Sequence, residues 1–124
     1  MTLHHAKHRQ TYINNLNVAL ASQATVFSKS GIVAQLHLQE AVRFNAGGHI
    51  NHTLFWGNLT PPSSPSSQSA LAPNLISVIN GRWDSLEKVQ EKLNSALLGL
   101  KGSGWGWLVE DIESNTLEIA MSKD

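Results

Sequence analysis

The chain has 124 residues, of which 41% are hydrophobic and 15% charged, enough for one compact domain or two small units sharing an interface. Nine Lys and Arg balance nine Asp and Glu, so the charge gives no reason to expect nucleic acid or an anionic membrane as a partner. The absence of cysteine excludes a disulfide framework and a thiolate metal site, and no apolar run approaches the roughly 20 residues that span a bilayer.

Met1-Thr2-Leu3 runs straight into His4-His5 and does not read as a targeting segment. A first helix is predicted from Leu3 to about Ala24, where Leu3, Tyr12, Leu16, Ala19 and Leu20 fall near helical spacing. It has no capping residue, as though the chain began inside a longer element. Lys29-Ser30-Gly31 predicts a turn. A second helix is predicted from Ile32 to about Leu59, carrying Leu36, Leu38, Ala41, Val42, Phe44, Ile50, Leu54 and Phe55. Gly47 and Gly48 lie inside it, each at a cost of about 1 kcal/mol relative to Ala, and that cost asks for a reason. Joined by a short turn, the two helices would form an antiparallel hairpin.

The Pro/Ser-rich run from Thr60 to Ser69 is the clearest boundary in the chain. Beyond it, Pro73–Trp83 predicts a short helix with Pro in its first turn. Asp84 or Ser85 would cap a further helix reaching about Leu100, which Gly102-Ser103-Gly104 ends. Trp105–Val109 and Thr116–Ala120 read as strands, with Glu113-Ser114-Asn115 in the turn between them. The expected architecture is an all-α helical hairpin over 1–59, a linker over 60–72, and a partial α+β domain over 73–124 with a small antiparallel sheet. The whole reads as truncated at both ends, since two strands alone make a marginal sheet.

Six histidines and four tryptophans are high counts for this length. His4, His8 and Tyr12 are spaced i, i+4, i+8, and each step rotates by only about 40° around a helix axis, so the three share one side. Phe44, Gly48, His52 and Trp56 form a matching stripe on the second helix. Facing each other, the stripes would bring one histidine from each helix to a single metal ion. Tyr12 and Trp56 would close the pocket, and Gly48 would leave backbone-sized room beside the ion. Plainer readings stand beside this one. A helical histidine is more often a surface or hydrogen-bonded residue than a ligand. An aromatic stripe is more often core than pocket, and Trp105 and Trp107, two apart, share a strand face and can simply pack. The i, i+4 pair lacks the Glu of H-E-x-x-H, so a metalloprotease has little support.

The strings themselves go further. The run Leu3-His4-His5-Ala6-Lys7-His8-Arg9-Gln10-Thr11-Tyr12-Ile13-Asn14-Asn15-Leu16-Asn17 closely resembles the first-helix motif of the iron/manganese superoxide dismutases. Phe44-Asn45-Ala46-Gly47-Gly48-His49-Ile50-Asn51-His52-Thr53-Leu54-Phe55-Trp56 resembles their second-helix motif, and Gly102-Ser103-Gly104-Trp105-Gly106-Trp107-Leu108 the start of their central sheet. The resemblance implies that His4 and His52 are metal ligands. Tyr12 and His8 would stand at the substrate gateway without coordinating the ion. Trp56, Trp105 and Trp107 would wall the pocket, and Phe44 would sit at its rim. His5 and His49 are not ligands in that pattern.

The implied activity is disproportionation of superoxide to oxygen and hydrogen peroxide at one manganese ion per subunit. The implied setting is a homo-oligomer, dimer or tetramer, in the mitochondrial matrix, with no nucleic acid or membrane partner. Iron types place a metal-tuning Gln four residues before the second-helix His, where this chain has Gly48; that favours manganese over iron. Arg9 stands where the family usually has His, and Ala46 where it has Gly, and neither change removes a ligand. The family's Asp and third His, carried in an Asp-x-Trp-Glu-His-Ala segment, have no counterpart here, nor has its Leu-Pro-x-Leu-x-Tyr opening. The chain is therefore expected to be a partial sequence that lacks activity alone. The competing expectation is a dismutase-like fold kept as a non-catalytic assembly protein, but such relatives lose ligands from their motifs, whereas His4, Tyr12, Asn51 and His52 are all present.

Overall fold

The computed structural model describes residues 3–67 and 72–123. Residues 68–71 of the expected linker, and 1, 2 and 124 at the outer ends of the expected domains, lie outside the described residues. The chain divides into two compact units, Met1–Leu59 and Thr60–Asp124.

The first unit is a pair of helices, α1 (Arg9–Lys29) and α2 (Ile32–Gly57). Helix α1 runs past Ala24 because nothing breaks it before Gly31. Its last turn is stitched by Ser28 Oγ, which donates to the Ala24 carbonyl at 2.7 Å. Ser30 and Gly31 are both extended, and these two residues reverse the chain. The Gln35 side chain closes the turn by donating to the Ser30 carbonyl at 3.1 Å. Facing stripes bury Ala19 on α1 and Leu38, Asn45, Gly48 and His52 on α2. A two-helix hairpin can cover only one stripe of each helix, so Val18, Ile32 and Val33 remain exposed on the others.

The Pro/Ser-rich segment includes a turn closed by the Ser64 N–H donating to the Pro61 carbonyl at 2.9 Å and a 3₁₀ turn at Pro65–Ser67. In the second unit, α3 (Pro73–Trp83) begins on a proline, whose missing N–H would have been an orphan there anyway. Helix α4 (Leu86–Gly99) is capped by Ser85, whose Oγ accepts from the Lys88 N–H at 3.3 Å. The sequence left Asp84 and Ser85 both open as caps. Asp84 instead takes a left-handed φ of 69° at the end of α3, and its carboxylate pairs with Lys88 Nζ at 2.7 Å.

The strands β1 (Gly104–Asp111) and β2 (Thr116–Lys123) are longer than their apolar cores suggested and pair antiparallel, Trp107 opposite Ala120 and Leu108 opposite Ile119. Gly102, at φ 91°, turns the chain into β1. Asp111 organises the hairpin turn: its carboxylate accepts from the Glu113 N–H at 3.0 Å and from Ser114 Oγ at 2.8 Å. These bonds hold the Asp111 carboxyl below its ordinary pKa.

The core of this unit is Ile79, Trp83 and Val89, with Ile76, Leu86, Leu117 and Ile119 packed against it. Arg82 reaches Glu118 at 2.7 Å, tying α3 to β2. Helices first and a two-stranded antiparallel sheet last is the order expected from the sequence. Ile79 is 2% exposed at the centre of this packing. Ile79→Ala is expected to destabilise the unit by about 2–5 kcal/mol, read as a lowered denaturant midpoint, because the cavity left cannot close fully.

Candidate metal centre

His4 lies in an unusual piece of helix. Residues His4–His8 form a π-helical turn ahead of α1, closed by the Arg9 N–H bonding back five residues to the His4 carbonyl. A regular α-helix was expected here, but five residues carry no periodicity that separates the two forms. The wider turn holds more residues than the 3.6 of an α-helix, so the four-residue step from His4 to His8 comes close to one full turn. Their rings stand 5.9 Å apart between centroids. Single π turns of this kind concentrate at functional sites.

His52 comes from the buried stripe of α2 and is only 4% exposed. One turn back along α2, the Gly48 carbonyl lies 2.7 Å from His52 Nδ1. A carbonyl can only accept, so Nδ1 carries the proton, and in the neutral ring Nε2 is left as the basic nitrogen. That nitrogen points at His4: the two Nε2 atoms are 2.9 Å apart. With His52 Nε2 as acceptor, His4 Nε2 is the donor in this pair. Burial, then the neighbouring His52 and His8 rings, depress the His4 pKa, favouring the uncharged imidazole that a metal requires.

The donor set fits a metal ion. Two imidazole nitrogens 2.9 Å apart are close enough to bind one ion through bonds of about 2.1 Å. Hydrogen-bonding of the far ring nitrogen to a backbone carbonyl is the usual way a ligating histidine is oriented. Among the described residues, no group of three or more His, Cys, Asp or Glu converges on one point. The pair alone is what the hairpin brings together.

Aromatic rings enclose it. Trp56 packs edge-on to His4 at 5.4 Å, and Tyr12 lies 5.1 Å from the His52 ring. Phe44 backs Tyr12 at 5.6 Å. Every first-unit residue of the expected site, His4, His8, Tyr12, Phe44, His52 and Trp56, thus belongs to one cluster. Trp105 and Trp107 belong to the second unit. Their rings are stacked at 5.7 Å with planes 12° apart, on the face of β1 opposite Gly106. Gly106 lies on the face toward α4, where an added Cβ would meet Leu97 and Leu93.

Gly48 was expected to leave room beside the ion. The room is taken by Tyr12: a Cβ built on Gly48 would lie 2.8 Å from Tyr12 Cγ and closer still to Cδ1 and Cε1. Spacing on a helix gives the direction of a vacant position but not which neighbour fills it.

Two further residues join the cluster that the sequence did not single out for it. Phe55 lies tilted to His4 at 5.8 Å and edge-on to Trp56 at 5.2 Å, and His5 meets Trp56 at 5.0 Å. Phe55 flanks the stripe at i+3 from His52, a step that itself predicts proximity. His49 Nδ1 is buried and has no hydrogen-bond partner among the described residues.

Residues 1–60 match the iron/manganese superoxide dismutase alpha-hairpin domain, and residues 71–124 match the C-terminal domain of the same family. The chain is 51% identical over 125 residues to a protein named mitochondrial Mn superoxide dismutase from Penicillium chrysogenum, covering 100% of this chain and 60% of that relative. The corresponding protein of Aspergillus oryzae is 48% identical over 125 residues, with the same coverage. That of Petromyzon marinus is 45% identical over 120 residues, covering 97% of this chain and 81% of the relative. The chain therefore spans about 60% of the length of the fungal relatives.

Proposed function

Because the chain belongs to the iron/manganese superoxide dismutase family, we propose that its helical hairpin is the two-histidine part of a manganese site in a mitochondrial superoxide dismutase. The observation that carries this reading is the approach of His4 Nε2 to His52 Nε2 at 2.9 Å, with the His52 tautomer set by Gly48. Manganese rather than iron is supported by the names of the relatives and by Gly48 standing where iron types carry their tuning Gln. The mitochondrial setting and the homo-oligomeric assembly are carried over from that kinship.

Dismutation takes two superoxide ions and two protons to oxygen and hydrogen peroxide. When bound, the ion supplies the one-electron couple that accepts an electron from one superoxide and returns it to the next. This chain supplies part of what remains. His4 and His52 hold the ion as neutral donors, and the Gly48 carbonyl keeps the His52 Nε2 lone pair aimed inward. Tyr12 holds a proton on its phenol oxygen beside the site, where peroxide formation needs one. The rings of Trp56 and Tyr12 pack on His4 and His52, and Phe44 backs Tyr12. His8, exposed beside His4, stands at the mouth of the same cluster.

The test is superoxide decay in a chimaera that continues this chain with the remaining residues of the Penicillium chrysogenum relative. Tyr12→Phe in that protein should retain its manganese, since the ring that packs on Phe44 and His52 survives. Turnover should fall about 10-fold, as for other lost partners of a metal centre. Metal analysis beside pulse-generated superoxide kinetics reads the two effects separately. Loss of manganese on Tyr12→Phe would make Tyr12 a structural residue and remove it from the proton path.

A further inference from the structure

The Pro/Ser-rich segment that follows the hairpin reads in the sequence as a linker, and prolines ordinarily hold such a segment extended. The structure folds it back on itself instead. Pro61, Pro62 and Pro65 have no N–H, so residues 60–67 keep few backbone donors with which to close a turn. Two remain in use: the Ser64 N–H donates to the Pro61 carbonyl at 2.9 Å, and the Ser67 N–H to the Ser64 carbonyl at 3.0 Å. Hydroxyls make up the rest. Ser67 Oγ lies 2.7 Å from the Ser64 carbonyl and 2.9 Å from the Pro62 carbonyl, with one proton to share between them. Ser66 Oγ lies 2.7 Å from Ser64 Oγ and 3.1 Å from Thr60 Oγ1, and the Ser66 N–H donates to Ser64 Oγ at 3.3 Å. Six extended residues would reach about 20 Å, yet the Thr60 and Ser66 side chains are in hydrogen-bond contact.

We infer that residues 60–67 are a hydroxyl-closed latch in the connection between the two units. Closed, the segment returns on itself and adds little to the covalent path after Leu59. Open, its eight residues would add up to about 26–29 Å of tether. Serine and proline have complementary parts in this. The fixed φ of each proline reduces the freedom that closing must remove, so a few exposed hydrogen bonds are enough to hold the turn. Those bonds compete with water, and each is worth little alone, so losing the one hydroxyl that spans two carbonyls is enough to release it. A short tether raises the effective concentration of one unit about the other, and the latch sets that length. This inference does not depend on the dismutase reading.

The test is 15N relaxation on the 124-residue chain, read at the Ser64, Ser66 and Ser67 amides. A closed latch is expected to give order parameters of about 0.8, near those of rigid backbone. Values below about 0.6 in the unsubstituted chain would mean an ordinary flexible linker and overturn the inference. Ser67→Ala removes the shared hydroxyl and is expected to bring all three amides below about 0.6, with hydrogen exchange at Ser64 about tenfold faster. Ser67→Thr keeps the hydroxyl and is expected to leave them rigid. If the Ser67→Ala segment stays rigid, or Ser67→Thr loosens it as much as Ser67→Ala does, the hydroxyl is not what closes the turn and the latch is refuted. The amide signals of Ile79 and Val89, in the core of the second unit, report that each variant keeps its fold.

Discussion

His52→Ala is expected to strip most of the manganese from the completed protein, while His49→Ala leaves its metal content near that of the unsubstituted protein. The two histidines lie three residues apart on the same helix, and both fall within the motif, so composition does not separate them. Geometry does. The ring at hydrogen-bond distance from His4 is that of His52, buried to 4% exposure, with one nitrogen committed to the Gly48 carbonyl and the other 2.9 Å from His4 Nε2. Removing it takes away a donor and leaves a cavity beside His4 that water enters. The loss should exceed the roughly 10–100-fold that follows from deleting an outer partner of a metal centre. Elemental analysis after exhaustive dialysis measures it, with circular dichroism to confirm that both variants keep their helices. If His49→Ala lost the more manganese, the pairing of His4 with His52 would be a packing contact and the site would have to be rebuilt around His49.

Much of this arrangement was legible in the sequence because helices convert spacing into direction. The i, i+4, i+8 series of His4, His8 and Tyr12, and the Phe44, Gly48, His52, Trp56 series, each named one side of a helix. A short turn at Ser30-Gly31 then left little freedom but to set those sides face to face. What spacing did not supply was occupancy. It marked Gly48 as a gap without showing that Tyr12 fills it, and it marked His52 without showing which nitrogen the carbonyl of Gly48 commits. Local backbone form escaped for a related reason. The π turn at His4–His8 and the left-handed Asp84 are settled by what each segment packs or pairs with, and no residue type in either segment demands them. The ends of α1 and of both strands ran longer than their apolar patterns because hydrogen bonding continues until something stops it. Gly31 stops α1, and the Asp111 turn stops β1.

Residues 1–124 loaded with manganese are expected to show no dismutation beyond that of the free ion, whereas the chimaera completed from the Penicillium chrysogenum relative is active. The hairpin offers two neutral imidazoles, and among the described residues no carboxylate or third histidine converges with them. Two uncharged donors leave the charge of a divalent or trivalent ion uncompensated inside a cluster of aromatic rings. That penalises the higher oxidation state most, and the reaction has to pass through it. The ion should therefore bind weakly and remain reduced. The resemblance implies that an Asp and a third histidine complete such a site, and that the manganese type has a Gln of its own, distinct from the iron types' second-helix Gln, that orients its solvent. The carboxylate supplies the missing charge, and loss of the Gln alone would cost about 10–100-fold. The difference between the two proteins should accordingly exceed about 100-fold per bound manganese. The comparison needs superoxide decay and metal content on both, and on the relative's C-terminal portion alone as a control. A soluble 124-residue protein whose dismutation rises in proportion to its bound manganese would show that the two histidines suffice, and the charge argument would fail.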